Sequence, residues 1–143
     1  MHINMKSRSS QKLRRALLAN AIFSAICGSL MVFAEPSVLS WLGLKAISIR
    51  PIGVFLMGFS LYLIWMMNHG RVPKSLVSGV IAGDWAWVMG SIILLMLNAN
   101  LFSWLGILLV TDVAVVVAVF AILQGLGLRQ ASATAHNSAP AMR

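Results

Sequence analysis

Acidic residues are nearly missing from this chain: there are three, against eleven lysines and arginines, in 143 residues. Charged residues together make up 10%, while 59% are hydrophobic and the mean hydropathy is +0.89. An ordinary soluble domain carries about 25% charged residues. A water-soluble fold of this composition would lack the polar surface to cover its core, whereas lipid accepts an apolar exterior. Cysteine is represented once, by Cys27 inside an apolar run, which excludes an intramolecular disulfide and any CxxC-type site. The three histidines, His2, His69 and His136, are scattered without metal-ligand spacing and none falls in an apolar run, so bis-histidine haem ligation in the membrane is excluded. There is no Ser-His-Asp or Cys-His set, no HExxH, no P-loop and no Gly-rich dinucleotide fingerprint. No catalytic, cofactor-binding or metal-ligating residue is therefore assigned, and the sequence points away from an enzyme without settling the question.

Four apolar runs are present, at about 16–34, 52–68, 76–97 and 103–127. At about 1.5 Å per residue such runs approach or cross a hydrocarbon core of about 30 Å. The expected architecture is an all-α membrane protein, a four-helix up-down bundle over residues 16–128. A basic segment, 1–15, precedes it and a small, polar tail, 129–143, follows it; the tail is expected to be disordered. The prolines at 36 and 51 bound a moderately apolar stretch, of which 37–44 reads as a short interfacial helix.

Lys6, Arg8, Lys12, Arg14 and Arg15 precede the first run, Arg71 and Lys74 lie between the second and third, and Arg129 and Arg143 follow the fourth. Only Lys45 and Arg50 fall on the other side. The positive-inside rule then puts both termini of this multi-pass protein in the cytoplasm, and the membrane expected for it is a bacterial inner membrane. The net charge of +8 serves topology and anionic headgroups rather than nucleic acid, since no basic stripe is interleaved with aromatics. A competing reading, that Val32-Phe33-Ala34 closes a cleavable signal peptide, is opposed by the length of the first run against a usual core of about 7–15 residues.

The two halves echo each other. Gly28-Ser29-Leu30 and Ser40-Trp41-Leu42-Gly43 return as Gly90-Ser91-Ile92 and Ser103-Trp104-Leu105-Gly106, at offsets of 62 and 63 residues. Two repeated helical hairpins would produce this pattern. Recurrence of Trp at the membrane interface is the simpler alternative.

Two of the three acids, Asp84 and Asp112, lie inside apolar runs near mid-membrane. A charged Asp there costs about 2.5–3.5 kcal/mol on insertion scales, so such residues face a partner or a cavity. Low-dielectric surroundings disfavour a carboxylate's charged form, which makes a neutral, hydrogen-bonding Asp one expectation. An antiparallel hairpin sets the two acids about 7–8 Å apart in depth, too far for direct contact but compatible with a shared proton path. At helical spacing Asp84 lies near Trp87 and Ser91. Asn20 and Gln124 are expected near the cytoplasmic ends, where they could bond to each other. Interhelical hydrogen bonding is the plain role for all of these. Gly79, Gly83, Ala86 and Gly90 form one stripe on the third span, and Ala114, Ala118, Ala121 and Gly125 one on the fourth. Both are expected to be faces of close helix contact.

Asp84-Trp85-Ala86-Trp87-Val88, together with Leu123-Gln124-Gly125-Leu126-Gly127-Leu128-Arg129, resembles a pattern in small, uncharacterised bacterial four-helix membrane proteins, over roughly residues 14–129. The likeness to DoxX-like proteins is one of architecture only. The resemblance implies fold and location, and no activity. The leading expectation is a non-enzymatic accessory or structural subunit acting through helix association. Its partners would be the bilayer and a second copy or another membrane subunit, not nucleic acid. The alternative is a proton-linked transporter, or a binder of a lipophilic small molecule, using Asp84 and Asp112.

Overall fold

The computed structural model describes residues 3–34, 36–43, 49–68 and 73–136, with side chains for those between 11 and 130. The chain is all-α, a bundle of four long antiparallel helices, with no strand among the described residues. Helix α1 spans Ile3–Phe33, the short α2 Pro36–Trp41, α3 Arg50–Asn68, α4 Lys74–Asn98 and α5 Trp104–His136, with a 3-10 turn, Ala99–Leu101, between the last two. The stretches Gln11–Phe33, Arg50–Asn68, Lys74–Leu101 and Trp104–Gln130 are each long and apolar enough to cross a membrane. In hydrocarbon no water pairs with the backbone, so each crossing must satisfy its own peptide groups, as a helix does.

Prolines set several boundaries. Pro36 opens α2, Pro51 lies in the first turn of α3, and Pro73 stands immediately before α4 with extended backbone (φ −63°, ψ 134°). Proline fits a helix's first turn because the N–H it lacks has no intrahelical acceptor there. At the start of α5, Ser103 Oγ accepts a hydrogen bond from Gly106 N–H at 3.1 Å, an N-terminal cap. Of the stretch 37–44, expected to be a short helix, residues 37–41 are helical in α2, Leu42 and Gly43 form a turn, and residue 44 lies outside the described residues. The expected disordered tail needs correction over 129–136, where α5 continues unbroken. Ala, Gln and Arg are good helix formers there, and extending an existing helix needs no new nucleus. Residues 137–143 lie outside the described set.

Helix α1 packs along both α3 and α5, and α4 packs along α5, giving the order α3–α1–α5–α4 around the bundle. The fourth side, between α4 and α3, has no comparable packing. These two helices come together only toward the end bearing the termini, where Leu13, Leu17, Ala21, Leu63, Met66, Met67, Val77 and Val80 form the main apolar cluster. Arg14 Nη2 donates to Met67 O at 3.0 Å there, putting a cation on the carbonyl end of α3.

Among the long helices, α1 and α3 make a close backbone approach. A Cβ added at Gly28 would sit 2.7 Å from Gly53 O, and one at Gly53 would sit 2.8 Å from Gly28 O. This reciprocal glycine crossing was not among the small-residue faces expected from the sequence. The stripe that was expected on α4 behaves differently. Nothing in the chain lies within 4 Å of a Cβ placed at Gly79, Gly83 or Gly90, and all three are exposed on the outside of the bundle. Ala114 and Ala121 of α5 are buried and Ala118 is half-buried, but the glycines of α4 do not meet them. Asp84 sits on another side of α4; turning it inward carries the glycines out.

At the opposite end, the two Ser-Trp-Leu-Gly segments touch. Ser103 N–H donates to Leu42 O at 3.2 Å, and a Cβ at Gly106 would collide with that same carbonyl. Gly43 turns the chain with φ +73°, a left-handed conformation that favours glycine.

Candidate functional site

Asp84 projects from α4 into the interior of the bundle and is 3% exposed. Asn20 of α1 and Gln124 of α5 are wholly buried, and both turn their amides to it. Asn20 Nδ2 donates to Asp84 Oδ2 at 2.8 Å, and Gln124 Nε2 donates to the same oxygen at 3.2 Å. Ser24, one turn beyond Asn20 on α1, donates from Oγ to Asn20 Oδ1 at 3.4 Å. One carboxyl thus ties α4 to α1 and α5. Such a cluster fixes the rotation of each helix about its axis, because any other rotation leaves a polar group facing hydrocarbon.

Satisfaction is incomplete. Both donors reach Oδ2, and among the described residues none reaches Asp84 Oδ1. The indole Nε1–H of Trp87 and the amide Oε1 of Gln124 are buried with no hydrogen-bond partner. Buried polar atoms are paired in the great majority of cases, and an unpaired one costs about 1–3 kcal/mol.

Beside this cluster lies a cavity of about 60 Å³. Asn20, Ser24, Asp84, Trp87 and Cys27 supply its polar and sulfur-bearing wall; phenylalanines of α1 and α3 and valines of α5 supply much of the rest. Two further lining residues, Phe55 of α3 and Gly83 of α4, are exposed on the outside of the bundle, Phe55 by 65%. The cavity therefore opens between α3 and α4, along the loosely packed side.

The structure gathers some of the residues singled out from sequence and separates others. Asp84, Asn20, Gln124 and Trp87 come together. The expected bond between Asn20 and Gln124 is replaced by a shared one, each amide donating to Asp84 instead. Both are level with Asp84, ten residues along α4 from Lys74, rather than near the helix ends. Ser91 donates from Oγ to Trp87 O at 2.9 Å, within its own helix and apart from the carboxyl. Asp112 does not join the site: it is exposed on the outward side of α5, while its neighbour Val113 lines the cavity. Ser24, Cys27 and the phenylalanines were not read as site residues. For Phe55 and Phe59 the available signal was helical spacing, four residues apart on one face of α3. Among the described residues no three His, Cys, Asp or Glu come together to hold a metal ion. Comparison with protein-family models, with curated proteins and with solved structures gives no match to the chain in any of the three.

Proposed function

We propose that this integral membrane protein is a non-enzymatic binder of a lipophilic small molecule, whose polar part is held beside Asp84. The observation that carries the reading is the mid-bundle cluster itself: a carboxyl positioned by Asn20 and Gln124, next to a cavity, with no partner among the described residues for Asp84 Oδ1 or the Trp87 N–H. Convergent polar groups in an otherwise apolar pocket are the usual form of a small-molecule site. A purely structural cluster would have no need of an adjoining opening. The membrane we assign it is a bacterial inner membrane, and the distribution of Lys and Arg supports placing both termini in the cytoplasm. A proton-linked role rests on Asp84 alone, since Asp112 faces away from it.

A second reading, association with another membrane subunit or a second copy, is supported by Asp112. An acid on the outer face of α5, eight residues into the helix from Trp104, is costly against lipid and calls for a polar partner. The open glycine stripe of α4 would allow close approach of a further helix.

Native mass spectrometry of the full chain, released gently from its own membrane, tests both. Binding predicts one defined small molecule per chain, lost in Asp84→Asn and retained in Asp112→Asn. A stoichiometric protein partner or a homo-oligomer without a small molecule moves the conclusion to association. A small molecule retained in Asp84→Asn removes Asp84 from the site.

A further inference from the structure

Resting on that binding reading, we infer that the occupant is a single-chain membrane amphiphile ending in an uncharged hydroxyl, entering sideways from the bilayer between α3 and α4. Three observations lead there.

The first is the shape of the way in. Packing is close along α3–α1, α1–α5 and α5–α4 but not between α4 and α3. The residue of α4 lining the cavity on this side is Gly83, beside which nothing lies within 4 Å. A lipid-soluble molecule reaches that side without crossing an aqueous phase.

The second is volume. A cavity of 60 Å³ offers room for about four water molecules. That accommodates an end group and the first carbons of one chain, and leaves the remainder to lie in the α3–α4 seam against Phe55 and Phe59. It does not accommodate a phosphoglycerol headgroup.

The third is the polar complement. Among the described residues no Lys, Arg or His lines the cavity, so none of them compensates a phosphate or carboxylate there, and Asp84 would repel one when charged. Of the atoms without a partner among the described residues, Gln124 Oε1 belongs to a residue that does not line the cavity, whereas the donor Trp87 Nε1–H and the carboxyl oxygen Asp84 Oδ1 belong to residues that do. A hydroxyl accepts from that donor and donates to that carboxyl oxygen with one oxygen atom. An alkane leaves both of them unmet, and a ketone leaves the Oδ1 of a charged Asp84 unmet.

The test uses a long-chain alcohol carrying a photoactivatable diazirine on its chain, added to the full chain in phosphatidylcholine vesicles. Labelled residues are mapped by peptide mass spectrometry. Saturable labelling is expected on residues of α3 and α4 along the seam, displaced by unlabelled alcohol about tenfold better than by the fatty acid or alkane of equal length. Trp87→Phe should weaken alcohol competition by about tenfold and leave alkane competition unchanged. Gly83→Leu, which fills space that is open in the chain, should abolish labelling; Gly79→Leu, equally open but away from the cavity, should not. Equal competition by alkane, labelling confined to α1 and α5, or labelling indifferent to both Gly83→Leu and Trp87→Phe each overturns this inference. Saturable labelling that survives both variants leaves the broader binding reading standing. If no probe labels saturably and no small molecule accompanies the native protein, the binding reading falls, and this inference with it.

Discussion

The hairpins α1–α3 and α4–α5 carry the same Gly-Ser and Ser-Trp-Leu-Gly elements at nearly constant offset, yet the glycines of their matching Gly-Ser pairs are used in opposite ways. Gly28 is pressed against the backbone of Gly53, so α1 and α3 cross at near-minimal separation. Its sequence counterpart Gly90 has open space beside it, as have Gly79 and Gly83. The hairpins also differ in their polar content. Within the first, Ser60 Oγ of α3 donates to Ala21 O of α1 at 2.7 Å. In the second, Gln124 of α5 and Asp84 of α4 bond through side chains and leave atoms unpaired. One hairpin is closed on itself; the other keeps a face and a polar centre available. A glycine in a membrane helix permits close approach, and what approaches is decided by which way the helix is turned.

Substitutions break or sharpen that contrast, and the largest effect is expected at Gly28. Gly28→Leu drives a side chain into the Gly53 carbonyl and the Met57 side chain. Destabilisation of about 2–3 kcal/mol or outright failure to fold is expected, read as the loss of a monodisperse peak in mild detergent and a lower unfolding midpoint. Asp84→Leu should come next, at about 1–2 kcal/mol, because the amides of Asn20 and Gln124 lose their shared acceptor. The same substitution in an Asn20→Leu background should cost less than it does alone, and a double-mutant cycle on thermal unfolding measures that coupling. Ser60→Ala should cost under about 1 kcal/mol, since an interhelical bond in a membrane competes with other partners in the unfolded state. Gly90→Leu should be smallest, within about 0.5 kcal/mol in a monomeric preparation. If Gly90→Leu instead matched Gly28→Leu, the glycine face of α4 would have to be covered in the native protein, and the contrast between the hairpins would disappear.

Membrane residence, the count of four helices and their antiparallel order were legible because they follow from run length and hydropathy, which are properties of single segments. Asp84 and Asn20 stood out for the same reason, a polar group in an apolar run being conspicuous wherever it points. Their meeting was not legible. Asn20 and Asp84 are 64 residues apart, and run length alone set Asn20 and Gln124 near the ends of their spans, whereas both are level with Asp84. The closely packed glycines were misplaced because every face of such a helix is apolar: with no wet side to mark the outside, helical periodicity identifies a stripe but not its direction.

The composition alone thus determined the solvent, since a chain with 10% charged residues and this hydropathy has only lipid to face. The lengths of its apolar runs determined how often it crosses, and its prolines marked where several helices begin. Only the tertiary structure decided how each helix is rotated, and hence that Asp84 is shared by two amides, that Gly28 rather than Gly90 makes the close crossing, and that the bundle is left loosest between α3 and α4. Rotation is set by contacts between segments distant in sequence, where hydrogen bonds short of partners and backbones close enough to touch outweigh the nearly uniform hydrophobicity of the helices themselves.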